Sequence, residues 1–282
     1  PVTLVDRIKT MGCTVWFSVP SLLMFLQTMK TATRANLGTL RKIIFGGEGF
    51  PKLKLKQLFD ELGPQVEFHN VYGPTECTCI CSSYRLSTND FYELGGFPPL
   101  GKLSGLFTQH ILDGITPVPA GETGELCLGG CCVGLGYFMR PDLTNAAFVQ
   151  NPTNSAFREI VYRTGDLVRL DPGDNKLYFV GRRDLQVKHM GYRIELEEIQ
   201  HAIMAIGGID DAAVLHRKKA ELSEIIAVVA AKPAVNSKLI RQELSSRIPK
   251  YMIPSKFHIV ERMPKNANGK TDRPALVRQF AS

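Results

Sequence analysis

Three glycine-bearing stretches of this 282-residue chain have residue types that could cradle a phosphate, which takes bare backbone amides leading into the start of a helix. Gly46-Gly47-Glu48-Gly49 follows a strand-like segment, but the next glycine of a dinucleotide fingerprint would fall at Lys52. Gly269-Lys270-Thr271 mimics the end of a P-loop, yet the first glycine would have to stand where Pro264 is. Gly129-Gly130 and Gly134-x-Gly136 lie among β-like segments and read as turns or bulges. None of the three passes as a phosphate loop. Cys77, Cys79 and Cys81 have the two-residue spacing of one strand face, and no Cys-x-x-Cys pair or nearby histidine set completes a zinc site. They read as small core residues.

The elements that must position any such chemistry change character twice along the chain. Up to about residue 94, helix-like and strand-like segments alternate, the pattern of a sheet covered by helices. Helix is expected over Leu4–Met11, from Pro20 to about Lys30, and over Pro51–Leu62 with Leu53, Leu58 and Leu62 toward the sheet. Strands are expected over Cys13–Val19, Lys42–Phe45 and Val66–Val71. Residues 95–183 read as a β-rich subdomain of short strands cut by Gly and Pro, among them Thr108–Asp113, Glu125–Gly129 and Leu177–Val180. Residues 184–282 read as a small α+β domain: helix from about Glu195, strands near Ala212–Leu215 and Glu224–Ala231, helix near Ser237–Arg247, and an exposed tail after Asn266. The fold class is therefore α/β with a β-rich subdomain, followed by a small α+β domain.

Composition narrows the function classes. A content of 44% hydrophobic and 22% charged residues is that of a globular chain. The longest wholly apolar run, Ile225–Ala231, falls well short of the roughly 20 residues of a membrane-spanning helix. The net charge of +7 comes from 34 basic and 27 acidic residues mixed along the chain, with no basic-aromatic module for nucleic acid. A basic surface of that kind attracts a nucleotide or an acidic protein. Seven unevenly spaced cysteines point to reduced thiols and a cytoplasmic setting. The start at Pro1, without Met or a basic-then-apolar leader, reads as a cut or internal start.

At Asn70-Val71-Tyr72-Gly73-Pro74-Thr75-Glu76 the sequence resembles the adenylate-forming superfamily, and within it the amino-acid-adenylating domains of nonribosomal peptide synthetases and D-alanine carrier-protein ligases. Further blocks agree in the same order: Gly124-Glu125-Leu126; Gly136-Tyr137 with Arg140-Pro141 and Leu143-Thr144; Tyr162-Arg163-Thr164-Gly165-Asp166; Gly181-Arg182-Arg183-Asp184; Lys188 through Gly191-Tyr192-Arg193-Ile194-Glu195; Tyr251-Met252-Ile253-Pro254; and Asn268-Gly269-Lys270-x-Asp272-Arg273. The resemblance covers essentially the whole chain. It departs at Leu135, where relatives often carry Arg. The family's phosphate loop and the aspartate that holds the substrate amino group lie upstream of every block seen here.

The resemblance implies a reaction that joins a carboxylate to AMP with loss of pyrophosphate and then passes the acyl group to a phosphopantetheine thiol on a carrier protein. It implies Lys270 as the cation at the attacked α-phosphate, on a turn supplied by Asn268-Gly269. The expected nucleotide-site residues are Asn70, Tyr72 stacked on adenine, Gly73, Thr75 at the α-phosphate, Asp166 on the ribose hydroxyls and Arg182 beside them. Glu76 is expected to hold Mg²⁺ against the phosphates of ATP. A Gly-Pro turn with a buried tyrosine is the plainer account of Tyr72-Gly73-Pro74, and a turn or helix cap that of Asp166. Asp184 matches the family hinge. Lys188 and Gly191 match a stretch that faces the site after rotation, with Gly191 leaving room for the pantetheine arm. Phe17, Ile44, Gly46, Val71, Cys79 and Ile80 fall where relatives line the substrate pocket, which they would make uncharged and closed by Phe17, suited to a small or modest apolar amino acid. Ordinary core is the alternative for most of them. An acyl-CoA synthetase and a non-catalytic module that binds nucleotide or a carrier protein remain open alternatives. Without the phosphate loop, the 282 residues alone are expected to be inactive.

Overall fold

Apolar residues at alternate positions of three short runs build a parallel sheet whose one face is packed by helices. The computed structural model describes residues 2–219, 222–266 and 271–281. After α1 (Val2–Thr10), strand β1 (Val15–Ser18) lies parallel to β2 (Lys42–Gly46), and β2 to β3 (Glu67–Tyr72). Strands β4 (Ser82–Arg85) and β5 (Lys102–Leu103) complete the sheet antiparallel. Trp16, Ile43, Phe45 and Phe68 are buried together with Val5 and Ile8 of α1, Leu23 and Leu26 of α2 (Pro20–Thr28), Leu37 of α3 (Arg34–Leu37), and Leu55, Leu58 and Leu62 of α4 (Lys52–Leu62). Leu53, expected toward the sheet, is exposed instead. Positions 55, 58 and 62 share one helical face, and 53 lies nearly opposite 55 on the helical wheel.

A second, antiparallel sheet has the order β11-β10-β8-β6-β7, with β9 also on β10. Its members are β6 (Phe107–Asp113), β7 (Thr116–Pro117), β8 (Thr123–Gly130), β9 (Phe148–Gln150), β10 (Ile160–Leu170) and β11 (Leu177–Arg182), and α5 (Pro141–Ala147) leads into β9. Gly129 and Gly130, expected as a turn or bulge, are the last paired residues of β8, opposite Thr108 and Phe107. Strand β8 is central and buried along most of its length, so even Glu125 is enclosed. The two sheets are stitched where Leu100 N–H donates to the Leu177 carbonyl at 2.8 Å and Leu177 N–H to that of Gly101 at 3.0 Å.

Cys77, Cys79 and Cys81 do not share a strand. Thr75–Cys77 is a single 3₁₀ turn, and Thr78 and Cys79 follow in the left-handed region with φ of 57° and 76°. That reversal buries Cys77 and Cys81 and leaves Cys79 exposed.

The chain divides into two compact units, Pro1–Asp184 and Leu185–Ser282. The second opens with a hairpin of β12 (Gln186–His189) and β13 (Tyr192–Glu195), followed by α6 (Leu196–Met204). Strand β14 (Ile209–Lys219) pairs antiparallel with β15 (Leu222–Ala231), which, after α7 (Ser237–Ser245), takes β16 (Lys256–Val260) in parallel. One face of this sheet packs on Ile199 and Ile203 of α6 and Ile240 and Leu244 of α7. The other packs on Leu276 of α8 (Arg273–Phe280). The tail expected as exposed loop thus contains a docked helix: the Asp272 carboxylate caps it by accepting from Ala275 N–H at 3.0 Å, Pro274 stands in its first turn, and Leu276 is fully buried. Among the described residues no helix is long and apolar enough to cross a membrane.

Candidate functional site

Asp166 sits in the interior of β10, not at a cap. The register of β10 against β8 slips between Arg163 and Leu167, a bulge occupied by Thr164-Gly165-Asp166. The Thr164 hydroxyl donates to the Leu126 carbonyl at 2.7 Å and accepts from Asp166 N–H at 3.0 Å. Gly165 has φ of 71°, and a Cβ there would stand 2.6 Å from an Arg182 nitrogen and 2.8 Å from Asp184 Oδ2. Only glycine fits both the left-handed backbone and that close approach. The bulge turns Asp166 inward, where it is 3% exposed.

Both oxygens of Asp166 are engaged. The Tyr72 hydroxyl donates to Oδ2 at 2.6 Å, and Arg182 Nη1 donates to Oδ1 at 2.7 Å. The same guanidinium grips Asp184 with two prongs, Nε to Oδ1 at 2.7 Å and Nη2 to Oδ2 at 2.6 Å. Burial opposes the charge of Arg182, but Asp184 and Asp166 outweigh it and hold its pKa above the usual range. For Tyr72, burial first and the Asp166 charge second push the phenol pKa well up, so it remains a donor. With 6% of its surface open, the Tyr72 ring packs in the cluster that also holds Cys77, Cys81 and Leu126. Its place in the first sheet and its hydroxyl on the second explain this.

The remaining residues of the first motif surround Tyr72. Asn70 is buried, its side-chain amide donating to the Pro99 carbonyl at 2.8 Å, which anchors the segment entering β5. Gly73 lies against the backbone of Cys79 and Cys81. Thr75, exposed, begins the 3₁₀ turn, and Glu76, half-buried, accepts from the Tyr137 hydroxyl at 2.6 Å through Oε1. Glu76 fits Mg²⁺ in the manner of a single carboxylate that shares the ion with substrate phosphates, since Mg²⁺ is seldom held in an all-protein cage. Among the described residues no group of three or more His, Cys, Asp or Glu could hold a metal ion.

The residues expected to line a substrate pocket lie on the sheet face away from the helices and on the adjoining turn. Phe17, Ile44 and His69 are consecutive Cα partners across β1, β2 and β3, and Gly46 pairs with Val71. Phe17 is 59% and Ile80 41% exposed, and Cys79 is exposed. Ordinary core is therefore the wrong account of these three. The face is not wholly uncharged: Glu67 pairs with Arg85 at 2.9 Å, with His69 at 3.2 Å and with Lys42 at 3.6 Å.

In the second unit, Lys188 is half-buried in β12 and paired with Arg193, and Met190 and Gly191 form the two-residue turn of the hairpin with φ of 52° and 85°. Two left-handed residues in succession make a type I′ turn, which gives Gly191 a backbone reason to be glycine. Lys270, with Asn268 and Gly269, lies outside the described residues. Its flank is well anchored: Arg273 donates to the Val214 carbonyl at 2.9 Å and to Gln200 at 2.7 Å.

Comparison with known proteins matches residues 1–138 to the AMP-binding enzyme family and residues 198–270 to the AMP-binding enzyme C-terminal domain. The chain belongs to the adenylate-forming, AMP-binding enzymes. This AMP-binding chain is 38% identical over 283 residues to the delta-poly-L-ornithine synthetase of Acinetobacter baumannii, covering 98% of the chain and 20% of that protein. It is 35% identical over 273 residues to the L-proline–[L-prolyl-carrier protein] ligase of Streptomyces coelicolor, covering 95% of the chain and 49% of the relative. Among solved structures it resembles holo-PA1221, a nonribosomal peptide synthetase protein containing adenylation and PCP domains bound to a vinylsulfonamide inhibitor, with a TM-score of 0.83 and 27% identity over 99% of the chain and 47% of the other. The chain thus spans half or less of each of these relatives.

Two residues of the AMP-binding chain that sequence reasoning left without a role have one in the structure. Glu125 is 4% exposed and accepts from Arg163 at 2.5 Å, from Arg183 at 2.9 Å and from Gly165 N–H at 3.2 Å. It fixes both the bulge and the arginine next to Arg182. Tyr137 orients Glu76. Glu125 stands in a recognised motif, but only its central strand position explains why a carboxylate is buried there.

Proposed function

We propose that this chain carries the carboxyl-terminal portion of an amino-acid adenylating ligase. In the first half-reaction a substrate carboxylate oxygen attacks the α-phosphorus of ATP, and the bond to the β-phosphate oxygen breaks, releasing pyrophosphate. In the second, the pantetheine thiol of a carrier protein attacks the activated carbonyl and AMP leaves. The observation that carries the reading is the hydrogen-bonded run Tyr72–Asp166–Arg182–Asp184, which draws three separate family motifs into one cluster.

In this reading Asp166 accepts from the ribose hydroxyls through its remaining lone pairs, oriented by Tyr72 and Arg182. Thr75 donates to the α-phosphate. Glu76, held by Tyr137, carries Mg²⁺, which when bound neutralises phosphate charge. Lys270 stabilises the charge that develops on the α-phosphate oxygens. Asp184 serves as the hinge, and Lys188 and Gly191 face the site during thioester formation. The substrate is a small or apolar amino acid, supported by Phe17, Ile44 and Val71 on one sheet face. A cytoplasmic location belongs to the same reading and fits the free thiols.

The test is ATP–pyrophosphate exchange across all amino acids, with the 282 residues alone and joined to the phosphate loop and amino-group aspartate of the family. Exchange in the joined protein with an apolar amino acid, and none from the chain alone, is expected. Preference for a charged amino acid, robust exchange from the chain alone, or acyl transfer to free CoA in place of a carrier protein would overturn the corresponding part.

A further inference from the structure

Beside the Thr75–Cys77 turn lies a pair of neighbouring thiols that the proposed adenylation chemistry does not use. Cys131 and Cys132 follow the end of β8, with Cys131 exposed, Cys132 half-buried and their sulfurs 3.9 Å apart. The turn that carries them is tied to the first motif at two points. The Thr78 hydroxyl donates to the Cys132 carbonyl at 2.8 Å, and Gly134 N–H donates to the Glu76 carbonyl at 2.8 Å.

We propose that Cys131 and Cys132 are a peroxide-responsive dithiol whose closure to a disulfide loosens the turn bearing Thr75 and Glu76. The exposed Cys131 thiolate attacks peroxide. The O–O bond breaks, leaving a sulfenic acid on Cys131 and hydroxide, which takes back from solvent the proton that the Cys131 thiol gave up and becomes one water. Cys132 Sγ then attacks that sulfur, the S–O bond breaks, and the hydroxyl leaves as a second water with the Cys132 proton. Two thiols are oxidised and one peroxide is reduced to two waters. Burial and the adjoining Cys131 hold the Cys132 thiol above its usual pKa, which suits a protonated resolving partner.

The bridge is readily reversed. Adjacent Cα atoms are about 3.8 Å apart, less than the usual span of a disulfide, so the eight-membered ring is strained and easily reduced. Closing it turns the peptide between the two residues, and through the ψ angle of Cys132 that turn is passed to the next peptide, whose Cys132 carbonyl accepts from Thr78. The other candidate pair is less available: Cys77 and Cys81 are both fully buried.

The experiment treats the chain with one equivalent of hydrogen peroxide, alkylates the remaining thiols and maps the products by fragment-ion mass spectrometry. The expected product is a Cys131–Cys132 segment about two mass units lighter and resistant to alkylation until dithiothreitol is added, and Cys131→Ser abolishes it. A stable sulfenic or sulfinic acid at Cys131 with Cys132 still alkylatable, or a disulfide mapping to other cysteines, would overturn the assignment. Amide exchange at Gly134 is expected to rise about tenfold on oxidation and return on reduction. Unchanged exchange in the disulfide form would overturn the coupling to Glu76.

Discussion

The Tyr72 hydroxyl donates to Asp166 Oδ2 at 2.6 Å, joining residues 94 apart in sequence and two different sheets. That bond makes the end of the parallel sheet and the bulge of the antiparallel sheet one structural unit. The phenol keeps its proton because burial and the neighbouring carboxylate both disfavour the phenolate.

Tyr72→Phe leaves the buried Asp166 with one partner fewer, and a lost hydrogen bond to a buried charge costs about 1–3 kcal/mol. The expected result is a lower urea midpoint with unchanged m-value. The pH dependence has a definite sign. The folded phenol pKa is raised, so its stabilisation is complete below about pH 10, where the unfolded tyrosine titrates, and falls as pH rises above it by up to about 1.4 kcal/mol per unit. Tyr72→Phe removes that component, and alkaline melting curves of the two proteins should converge.

Glu125→Gln is expected to destabilise the first unit by about 1–3 kcal/mol, because Arg163, Arg183 and the Gly165 N–H lose the charged acceptor that they converge on. Thermal unfolding followed by circular dichroism reads this directly. A shift within the error of the wild type would show the pair to be replaceable.

Arg182→Lys is not a conservative change here, since one ammonium cannot reproduce three hydrogen bonds to two carboxylates. Calorimetry should show AMP affinity reduced by about tenfold, or roughly 1.4 kcal/mol. Equal affinity would mean that the Asp166–Arg182 pair is purely structural.

Gly165→Ala places a Cβ within 2.6 Å of the Arg182 guanidinium on a backbone with φ of 71°. The combined strain should exceed about 1 kcal/mol and weaken AMP binding along with stability. Chemical denaturation and the same calorimetry check both.

Lys270→Ala in the protein that performs exchange is expected to lower the exchange rate by about 10²–10³-fold while leaving the unfolding midpoint in place. Loss of stability without loss of rate would assign the lysine to packing.

How much of this was legible beforehand follows from the range of the forces involved. Alternation in β1–β3, the proline that opens α2 and the spacing in α4 are local signals, and the ordered motifs carried the family and the nearness of Arg182 to Asp166. Leu53 and the helix Arg273–Phe280 were misread because short amphipathic segments gain their structure from what they dock on, here the first sheet and the face of β14 and β15 that meets Leu276. The three cysteines at 77, 79 and 81 were misread because two left-handed residues break a period that composition alone cannot reveal.

By itself, then, the sequence determined most of the element types and the family, since these depend on side-chain chemistry and near-neighbour spacing. Only the tertiary structure decided that Asp166 sits in a bulge, that Tyr72 is buried against it, that Glu125 holds two arginines, and that Cys132 accepts from Thr78 and Gly134 donates to Glu76. Those facts depend on strand register and on contacts between residues far apart in the chain, which no local pattern encodes.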